Sequence, residues 1–365
     1  MTIGIITHYD VHNHGAILQL NALTKVFAEK NIKAFALRFE KNYDFIGHEL
    51  KHKYDIGVRS IPIYMNYLRR QGAKQTMFNI KKKRLLESFK SKNGLVGEYY
   101  TDYKDLNGVC IGSDEVFALH TGPTPAFFGY ALPSDYVFSY AASFGPTVLN
   151  DIVERHCRSF VKYGINSLQA VSVRDNNSKE IIAELTERTP SLVCDPVLLY
   201  GYEKELQDTV KVNLDNFLLI YAYDNNMNDK DEVEKIRKFA KAKNLKIAGV
   251  GFYHKWCDCN INVDPVELLH YFKKAKYVVT DTFHGSVLSI VTNTNFAVIP
   301  RNNTNKLFNL LAEYNLSNRV IDGDSVSKVL DHDINFDEVN AELVRRREES
   351  MAFVESCISD ITSKK

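Results

Sequence analysis

Short apolar segments alternate with amphipathic segments along most of this chain. Residues 3–6 are apolar, residues 16–29 carry apolar side chains near helical spacing, and residues 34–37 are again apolar. A strand, a helix and a second strand in this order form a βαβ unit, whose two strands pair in parallel. Repetition of the unit predicts an α/β protein with doubly wound parallel sheets.

The alternation falls into two series. Strands of the first series are predicted at residues 3–6, 34–37, 108–111, 136–140, 170–173 and 192–194. Strands of the second series are predicted at residues 217–222, 246–250, 277–280 and 297–299. The helices that follow residue 149 are predicted near residues 150–164, 177–186, 229–243, 265–275, 285–292 and 304–314.

The pattern is weakest at residues 199–216, which predicts a boundary between two domains. We therefore divide the chain into residues 1–200, residues 201–335 and a final segment of residues 336–365. That segment contains a long charged helix at about residues 336–361. The helix is long enough to cross back onto the first domain, although the sequence alone leaves its docking open.

Residues 69–92 interrupt the alternation with a strongly basic stretch. Nine lysines and arginines occur there beside a single acid, Glu87, and we assign residues of about 50–100 to a basic helical insertion. Three interpretations stay open: a solvated helix face, a patch for an anionic membrane surface or a lipid diphosphate, and a nucleic-acid site. Over the whole chain 46 Lys and Arg balance 45 Asp and Glu, which argues against nucleic acid as the main partner.

The cysteines and the first residues of the chain favour a cytoplasmic location. The six cysteines are irregularly spaced, which is typical of reduced, buried thiols. The opening residues MTIGIITHYD have no charged segment followed by an apolar one, so we expect no signal peptide. Apolar runs stay well short of the roughly 18 residues that a transmembrane helix needs.

Open α/β sheets bind ligands beyond the carboxyl ends of their strands, so the loops that follow strands are the candidate sites. The first such loop ends in Asn13, His14 and Gly15, directly before a helix whose N-terminus favours an anion. A ligand-facing loop and a structural turn are both open interpretations. The loop's three histidines also have the residue type for zinc, but no carboxylate or cysteine partner is evident nearby.

Two further loops of the first domain carry polar groups after a strand. Ser113, Asp114 and Glu115 follow residues 108–111, where they either cap a helix or act on a substrate hydroxyl. Ser143 lies among small residues. It either donates a hydrogen bond to a ligand or has only a structural role in packing. Arg174 ends another strand, where it either clamps a phosphate or carboxylate or pairs with its neighbour Asp175.

The second domain places a histidine between a valine-rich strand and a helix. His284 is either structural or positioned to touch a phosphate and donate a proton. Its neighbours Thr282, Gly285 and Ser286 belong to the same candidate loop, and Arg301 and Lys306 lie just downstream. Residues 254–259 contain a histidine and two cysteines, which are metal-ligand types. A second pair of ligand residues with matching spacing is missing, so we predict no metal site there. Motifs for a dinucleotide, a P-loop, a serine hydrolase or a zincin are missing from the sequence.

Eight segments, in their order and mutual spacing, resemble the polysaccharide pyruvyl transferase family. They are HNHGAILQ (12–19), IGSDEVF (111–117), FFGYALP (127–133), SYAASFG (139–145), VSVRDNNS (171–178), CDPVLL (194–199), TDTFHGSVLSIV (280–291) and NKLFNLLAEYNLSNRV (305–320). The resemblance implies a fold similar to glycosyltransferase type B, with two Rossmann-like halves that face a cleft. It also implies transfer of pyruvate from phosphoenolpyruvate to two hydroxyls of a sugar in a cell-surface polysaccharide precursor, which forms a cyclic ketal.

By matched motif, the resemblance places Arg174 and His284 at the phosphoenolpyruvate. His284 is then the expected general acid, and Asp114, with Glu115 second, the expected base. Family members often have an arginine where this chain has Thr282, and Arg301 or Lys306 is the hypothetical substitute. The remaining expected substrate-binding residues are Asn13, His14, Gly15, Ser113, Ser143, Gly285 and Ser286.

The resemblance implies a reaction that needs no metal or redox cofactor. Acceptors in the family are usually lipid-linked units or precursors of surface polymers, which would suit a peripheral position of the basic stretch at the inner membrane face. Two alternatives stay open: a nucleotide-sugar-dependent glycosyltransferase of the same architecture, and a non-catalytic relative.

Overall fold

The computed structural model describes residues 1–40, 61–301, 305–323 and 326–363. Residues 50–60 of the predicted basic insertion lie outside the described residues. The described residues form two parallel five-stranded sheets and one short two-stranded sheet. The prediction of an α/β protein with parallel sheets is therefore confirmed.

The first sheet has the strand order β3-β2-β1-β4-β5. Its strands are β1 Thr2–Ile6, β2 Lys33–Arg38, β3 Val96–Tyr99, β4 Gly108–Ile111 and β5 Val137–Ser139. Single bridges at Phe138 and Ala142 extend it toward the short pair β6 Ser172–Val173 and β7 Ser191–Leu192. The helices of this half are α1 His14–Glu29, α2 Ile61–Lys92, α3 Leu149–Glu154, α4 Arg158–Ser167, α5 Asn176–Thr186 and α6 Pro196–Tyr200.

The second sheet has the order β10-β9-β8-β11-β12, which repeats the topology of the first. Its strands are β8 Phe217–Tyr221, β9 Lys246–Val250, β10 Cys259–Ile261, β11 Tyr277–Thr280 and β12 Phe296–Val298. The helices that follow β8 are α7 Lys230–Ala242, α8 Pro265–Lys274, α9 Phe283–Val291, α10 Asn305–Glu313, α11 Val326–Leu330 and α12 Phe336–Ser363. In both sheets the strand order reverses beside the first strand, and such switch points are where α/β sheets bind ligands.

Several details differ from the sequence prediction, and the short helices α6 and α11 were not predicted. Strands β3 and β10 were not predicted, because they are short edge strands without a fully buried residue. The helix predicted at residues 150–164 is two helices, α3 and α4, separated where His156 adopts a left-handed φ of 54°. Within the described residues helix α2 spans Ile61–Lys92, and its helical conformation is interrupted at Gly72.

The C-terminal helix α12 crosses back onto the first sheet. The Tyr136 hydroxyl donates a hydrogen bond to Asp360 (2.9 Å), and Gly108 leaves room for the Ile361 side chain. Near the middle of the helix, Ser350 Oγ accepts a bond from the Cys194 amide (2.9 Å). The two sheets span residues 2–139 and 217–298, while the domain boundaries at residues 200 and 335 stay predictions.

The N-terminal half of α1 docks onto the second sheet. Helix α1 packs on both α6 and α8, and the buried His14 ring donates from Nε2 to the Val263 carbonyl (2.9 Å). A Cβ at Gly251 would lie 3.0 Å from the His14 ring. Burial, and to a lesser degree the charge of Lys82, lower the pKa of His14 to about 3. His14 therefore joins the two halves as a neutral imidazole.

A second contact between the halves comes from α2. The Lys82 ammonium lies 3.8 Å from the centre of the Phe252 ring, which follows β9. Burial lowers the pKa of Lys82 to about 8. None of the helices in the described residues combines the length and apolar character needed to cross a bilayer.

The lowered pKa of His14 predicts a loss of stability in mild acid. Below about pH 6.5 the unfolded chain takes up a proton at this residue, whereas folded His14 takes one up only near its own pKa of about 3. The free energy of unfolding should therefore fall as the pH drops through this window, by about 1.4 kcal/mol per pH unit for this group. His14→Gln, whose amide can still donate to Val263, should make the fall shallower by that amount in urea titrations.

The control for this experiment is His156→Asn, because the His156 side chain is exposed. An equal change of slope in both variants would show that His14 does not carry the acid sensitivity.

Candidate active site

A cavity of about 480 Å³ lies between the two sheets. Four loops line it, and each follows a strand at a switch point: Asn13 follows β1, Asp114 follows β4, Tyr223 follows β8 and Thr282 follows β11. Because the carboxyl ends of parallel strands meet at one edge of a sheet, these loops converge without any motif that is continuous in sequence. Seven predicted site residues line the cavity: Asn13, Asp114, Glu115, Thr282, His284, Arg301 and Lys306.

Two helices begin at this cavity. The Asn13 side chain accepts a hydrogen bond from the Gly15 amide (2.8 Å) at the start of α1, and Thr282 Oγ1 accepts one from the Gly285 amide (2.8 Å) at the start of α9. A helix N-terminus carries partial positive charge and exposed amide hydrogens, which favour a bound anion. The cavity therefore receives two such ends, one from each half of the chain.

The two helix ends touch through a glycine. A Cβ at Gly15 would lie 2.2 Å from Cγ of His284, a separation that no side chain tolerates. His284 thus packs directly on the backbone of α1. Gly285 is similarly constrained, since a Cβ there would lie 2.0 Å from Thr280 Oγ1.

His284 is buried, and its Nε2 has no hydrogen-bond partner among the described residues. Burial lowers the pKa of His284 to about 4, although the carboxylates of Asp114 and Asp195 partly oppose the effect. The imidazole is therefore neutral near pH 7. A bound anion would raise this pKa, because negative charge favours the protonated ring.

Arg174 lies behind the cavity lining and holds two carboxylates. Its guanidinium donates to Asp114 (2.8 Å) and Asp195 (3.2 Å), and it stacks 4.5 Å from the centre of the Phe283 ring. Burial raises the pKa of Asp114, but the positive charges of Arg174 and Lys306 outweigh burial and hold that pKa well below its usual range. Asp114 is therefore an ionised carboxylate of fixed orientation.

Glu115 faces the cation supplied by the second half of the chain. The Lys306 ammonium lies 2.6 Å from a Glu115 oxygen, and His120 lies 3.5 Å from the other oxygen. Burial opposes ionisation of Glu115, but the charge of Lys306 outweighs it, so the pKa is lowered. The ion pair bridges the two domains across the cavity.

The cations at this site are balanced by carboxylates. Arg301 makes two bonds to Glu232 (2.7 and 2.9 Å) and one to Asp281 (3.3 Å). Three cations therefore contact five carboxylates: Arg174 with Asp114 and Asp195, Arg301 with Glu232 and Asp281, and Lys306 with Glu115. Attraction for an anion must come largely from the helix ends and from protonation of His284.

The other predicted site residues support the cavity from outside its lining. Ser143 Oγ donates to Asp175 (2.7 Å), the Ser113 carbonyl accepts from Thr7 (3.0 Å), and Ser286 Oγ donates to the Thr282 carbonyl (3.4 Å). All three serines are buried. The residues outside the lining are His14, Gly15, Ser113, Ser143, Arg174, Gly285 and Ser286.

The structure adds five lining residues that the sequence analysis missed: Tyr223, Asn226, Asp281, Phe283 and Leu307. The Tyr223 hydroxyl accepts a hydrogen bond from the Asn13 side chain (3.3 Å), which connects a loop of each half. Burial raises the pKa of the Tyr223 hydroxyl well above its usual value. Tyr223 and Asn226 follow strand β8, so the rule applied to the other strand ends would have found them.

The three histidines of the first loop each contact a different residue. His8 packs 4.9 Å from the Phe127 ring, His12 lies 3.3 Å from Glu87, and His14 bonds Val263. At residues 254–259, His254 bonds the Ala222 carbonyl (3.1 Å). Within the described ranges no three histidine, cysteine or acidic side chains form a group that could hold a metal ion.

Comparison with known proteins points to one family. The model of the polysaccharide pyruvyl transferase family matches residues 13–303. A search of curated proteins found no match.

Solved structures of similar fold include two UDP-N-acetylglucosamine 2-epimerases and one protein described as a putative enzyme of that kind. One has a TM-score of 0.52 at 10% identity and covers 97% of this chain and 94% of its own. The enzyme from Neisseria meningitidis, bound to UDP-GlcNAc, has a TM-score of 0.50 at 9% identity over 100% of both chains. A putative epimerase from Listeria monocytogenes has a TM-score of 0.50 at 10% identity and covers 96% and 90%. This likeness shows the fold alone, and it confirms the predicted pair of Rossmann-like domains similar to glycosyltransferase type B.

The contact between Gly15 and His284 can be tested by a double-mutant cycle. Gly15→Ala forces a methyl group into the His284 ring, and overpacking of this kind costs about 1–3 kcal/mol. The thermal midpoint Tm should fall by several degrees. In a His284→Ala background the same substitution should cost much less, because the clashing ring is gone.

The readout is Tm for the parent, the two single variants and the double variant. If Gly15→Ala lowered Tm equally in both backgrounds, the two residues would not be in direct steric contact.

Proposed function

The chain belongs to the polysaccharide pyruvyl transferase family, and from this premise we propose that it transfers pyruvate from phosphoenolpyruvate to two hydroxyls of a sugar. The product is a cyclic pyruvate ketal on a precursor of a cell-surface polysaccharide. The family implies a saccharide acceptor. The observation that carries the proposed chemistry is His284. Its Nε2 has no hydrogen-bond partner within the described part of the chain, and the residue lies at the junction of two helix ends in the cavity between the domains.

The cavity suits a small, strongly anionic donor. Phosphoenolpyruvate carries a phosphate and a carboxylate, and both groups favour helix N-termini and cations. The ends of α1 and α9 meet beside Lys306, which lines the cavity at 15% side-chain exposure. Lys306 and Arg301 are our candidates for the cation that family members often supply at the position of Thr282.

The proposed reaction balances with groups of this chain. His284 gives a proton to C3 of the donor, which makes C2 electrophilic, and the first sugar hydroxyl forms a bond to C2 as it loses its proton. The second hydroxyl then bonds to C2 while phosphate leaves with the electrons of its bond to C2. The base accepts the two hydroxyl protons in turn; one then restores His284 and the other leaves with phosphate, so the proposal requires no metal or redox cofactor.

Asp114 is the proposed base, with Glu115 second. Its lowered pKa makes Asp114 a weak base, but a hydroxyl that attacks a cationic carbon becomes strongly acidic, so a weak base suffices. Arg174 fixes the orientation of Asp114 and is a positioning residue in this proposal. From the resemblance of its motif, we also propose that Arg174 contributes to the donor site.

Protonation of His284 links donor binding to pH. Its pKa is about 4 without donor, and the donor's charge should raise it. Binding should therefore take up a proton, and affinity should rise as the pH falls from about 8 to about 7, where the phosphate stays largely ionised. Isothermal titration of phosphoenolpyruvate in two buffers of different ionisation enthalpy measures this uptake.

His284→Gln should abolish the proton uptake and lower phosphate release with a competent acceptor by about 10²–10⁴-fold. His156→Asn, at an exposed histidine, should match the parent in both measurements. Unchanged uptake and turnover in His284→Gln would refute its role as the acid.

The same titration tests the alternatives. Binding of a UDP-, GDP- or CMP-sugar without phosphoenolpyruvate binding would favour a nucleotide-sugar-dependent glycosyltransferase. Binding of a saccharide without turnover would favour a non-catalytic relative.

We further propose that the protein works in the cytoplasm, where phosphoenolpyruvate is found, and that α2 contacts the inner membrane face. Two apolar side chains on this helix are exposed, Met77 (55%) and Ile80 (44%). Exposed Lys74, Lys81 and Arg84 lie on the same stripe, at spacings of three and four residues. A basic stripe around apolar residues fits an anionic lipid surface and would bring a lipid-linked acceptor near the cavity.

Removal of these charges should weaken binding to vesicles that contain anionic lipid. Each basic residue near such a surface contributes about 1 kcal/mol, so the triple change Lys74→Gln, Lys81→Gln and Arg84→Gln should lower vesicle binding at low salt by well over tenfold. The matched control removes three exposed lysines from α7, namely Lys235, Lys238 and Lys241. Co-sedimentation that is equal for both triple variants would rule out the α2 stripe as the lipid contact.

A further inference from the structure

A second cavity, of about 590 Å³, lies on the first domain beside the proposed active site. It is formed by the loop after β1, the end of β2 and the C-terminal half of α2. The titratable side chains that line it are three cations, two carboxylates, a tyrosine and a histidine: Arg38, Lys83, Lys90, Asp10, Glu87, Tyr9 and His12. The proposed reaction assigns no role to this cavity.

The cations of the second cavity differ from those between the domains in whether they contact a carboxylate. The Lys90 ammonium has partners within the protein: it pairs with Glu87 (2.9 Å) and donates to the Tyr9 carbonyl (3.0 Å). Arg38 and Lys83 line the cavity, and within the described part of the chain neither has a carboxylate partner. Two cations are therefore available to an external anion here, whereas those at the first cavity contact carboxylates.

One loop connects the two cavities. Tyr9 and His12 line the second cavity, while the adjacent Asn13 lines the first. A ligand that extends past this loop would meet both cavities. The second cavity also offers carboxylate oxygens, a serine hydroxyl and the partly buried Tyr9 ring, a mixture that fits the hydroxyls and apolar face of a sugar better than a bare phosphate ion.

We propose that the second cavity binds a negatively charged saccharide unit of the acceptor, one that carries a carboxylate or a phosphoryl group. Arg38 and Lys83 bind the charged group, and the sugar that receives pyruvate lies in the cavity between the domains. This inference rests on the proposed function, because it assigns a neighbouring unit of the same acceptor. It makes the enzyme selective for acidic acceptors.

His12 provides a local reporter for this binding. Burial and the adjacent Lys83 lower its pKa, and an anion held by Lys83 should raise it and shift its ring signals. The chain has only 11 histidines, so the imidazole signals of His12 can be assigned in an NMR spectrum by comparison with His12→Gln.

The experiment titrates the full chain with glucuronate, glucose 1-phosphate, glucose and inorganic phosphate while the His12 signals are followed. The first two probes separate a carboxylate from a phosphoryl group as the source of charge. We expect at least one of them to shift His12 and to bind more tightly than glucose and than phosphate, with weaker binding at high salt. Arg38→Gln and Lys83→Gln should each weaken that binding about three- to fivefold.

Lys92→Gln is the matched control, since exposed Lys92 lies on the same helix as Lys83 but does not line the cavity. Equal binding of glucose and the charged sugars, or equal loss in the Lys83 and Lys92 variants, would overturn the proposal. Phosphate that binds as tightly as the charged sugars would show a simple anion site and would overturn it as well. Phosphoenolpyruvate is titrated separately: failure of that titration alone refutes the proposed function, whereas failure of the sugar titration alone refutes the second site.

Discussion

The direct contact between Gly15 and His284 determines how the two halves of this protein meet. Because position 15 has no side chain, the start of α1 can press against the ring at the start of α9. The same end of α1 carries His14, which is buried in the second half and bonds Val263. Two helix N-termini therefore share one cavity, and the polar loops after β1, β4, β8 and β11 are brought around it.

The electrostatics of the cavity follow from this arrangement. Arg174, Arg301 and Lys306 contact carboxylates that hold them in place, so they contribute less free charge than their number suggests. Two helix ends and a histidine with a lowered pKa remain to respond to an anion. Binding of an anionic donor at such a site should raise the pKa of His284, so that the ring takes up a proton. The proposed transfer of a proton to the donor requires this protonated ring. The second cavity, with Arg38 and Lys83 lacking carboxylate partners within the described residues, has a different electrostatic character.

Fold and family constrain function to different degrees. The epimerase structures share the two-domain fold at about one-tenth identity, and such a likeness says nothing about which donor this chain uses. The family match over residues 13–303 is what points to pyruvyl transfer. The positions of His284, Asp114 and Glu115 in the cavity between the domains are the basis of the roles proposed for them.

The sequence by itself determined the alternation of strands and helices, the two series of that alternation and the loops in which polar residues follow strands. Those features are local, because hydrophobic periodicity and strand ends are set by neighbouring residues. Edge strands β3 and β10 escaped prediction because half-exposed strands have weak periodicity. Only the tertiary structure decided which of the polar residues line the cavity, that His14 joins the domains and that α12 returns to the first sheet. The reason is distance along the chain: Arg174 and Asp114 are 60 residues apart, Lys306 and Glu115 are 191 apart, and no local pattern records which charges will become partners.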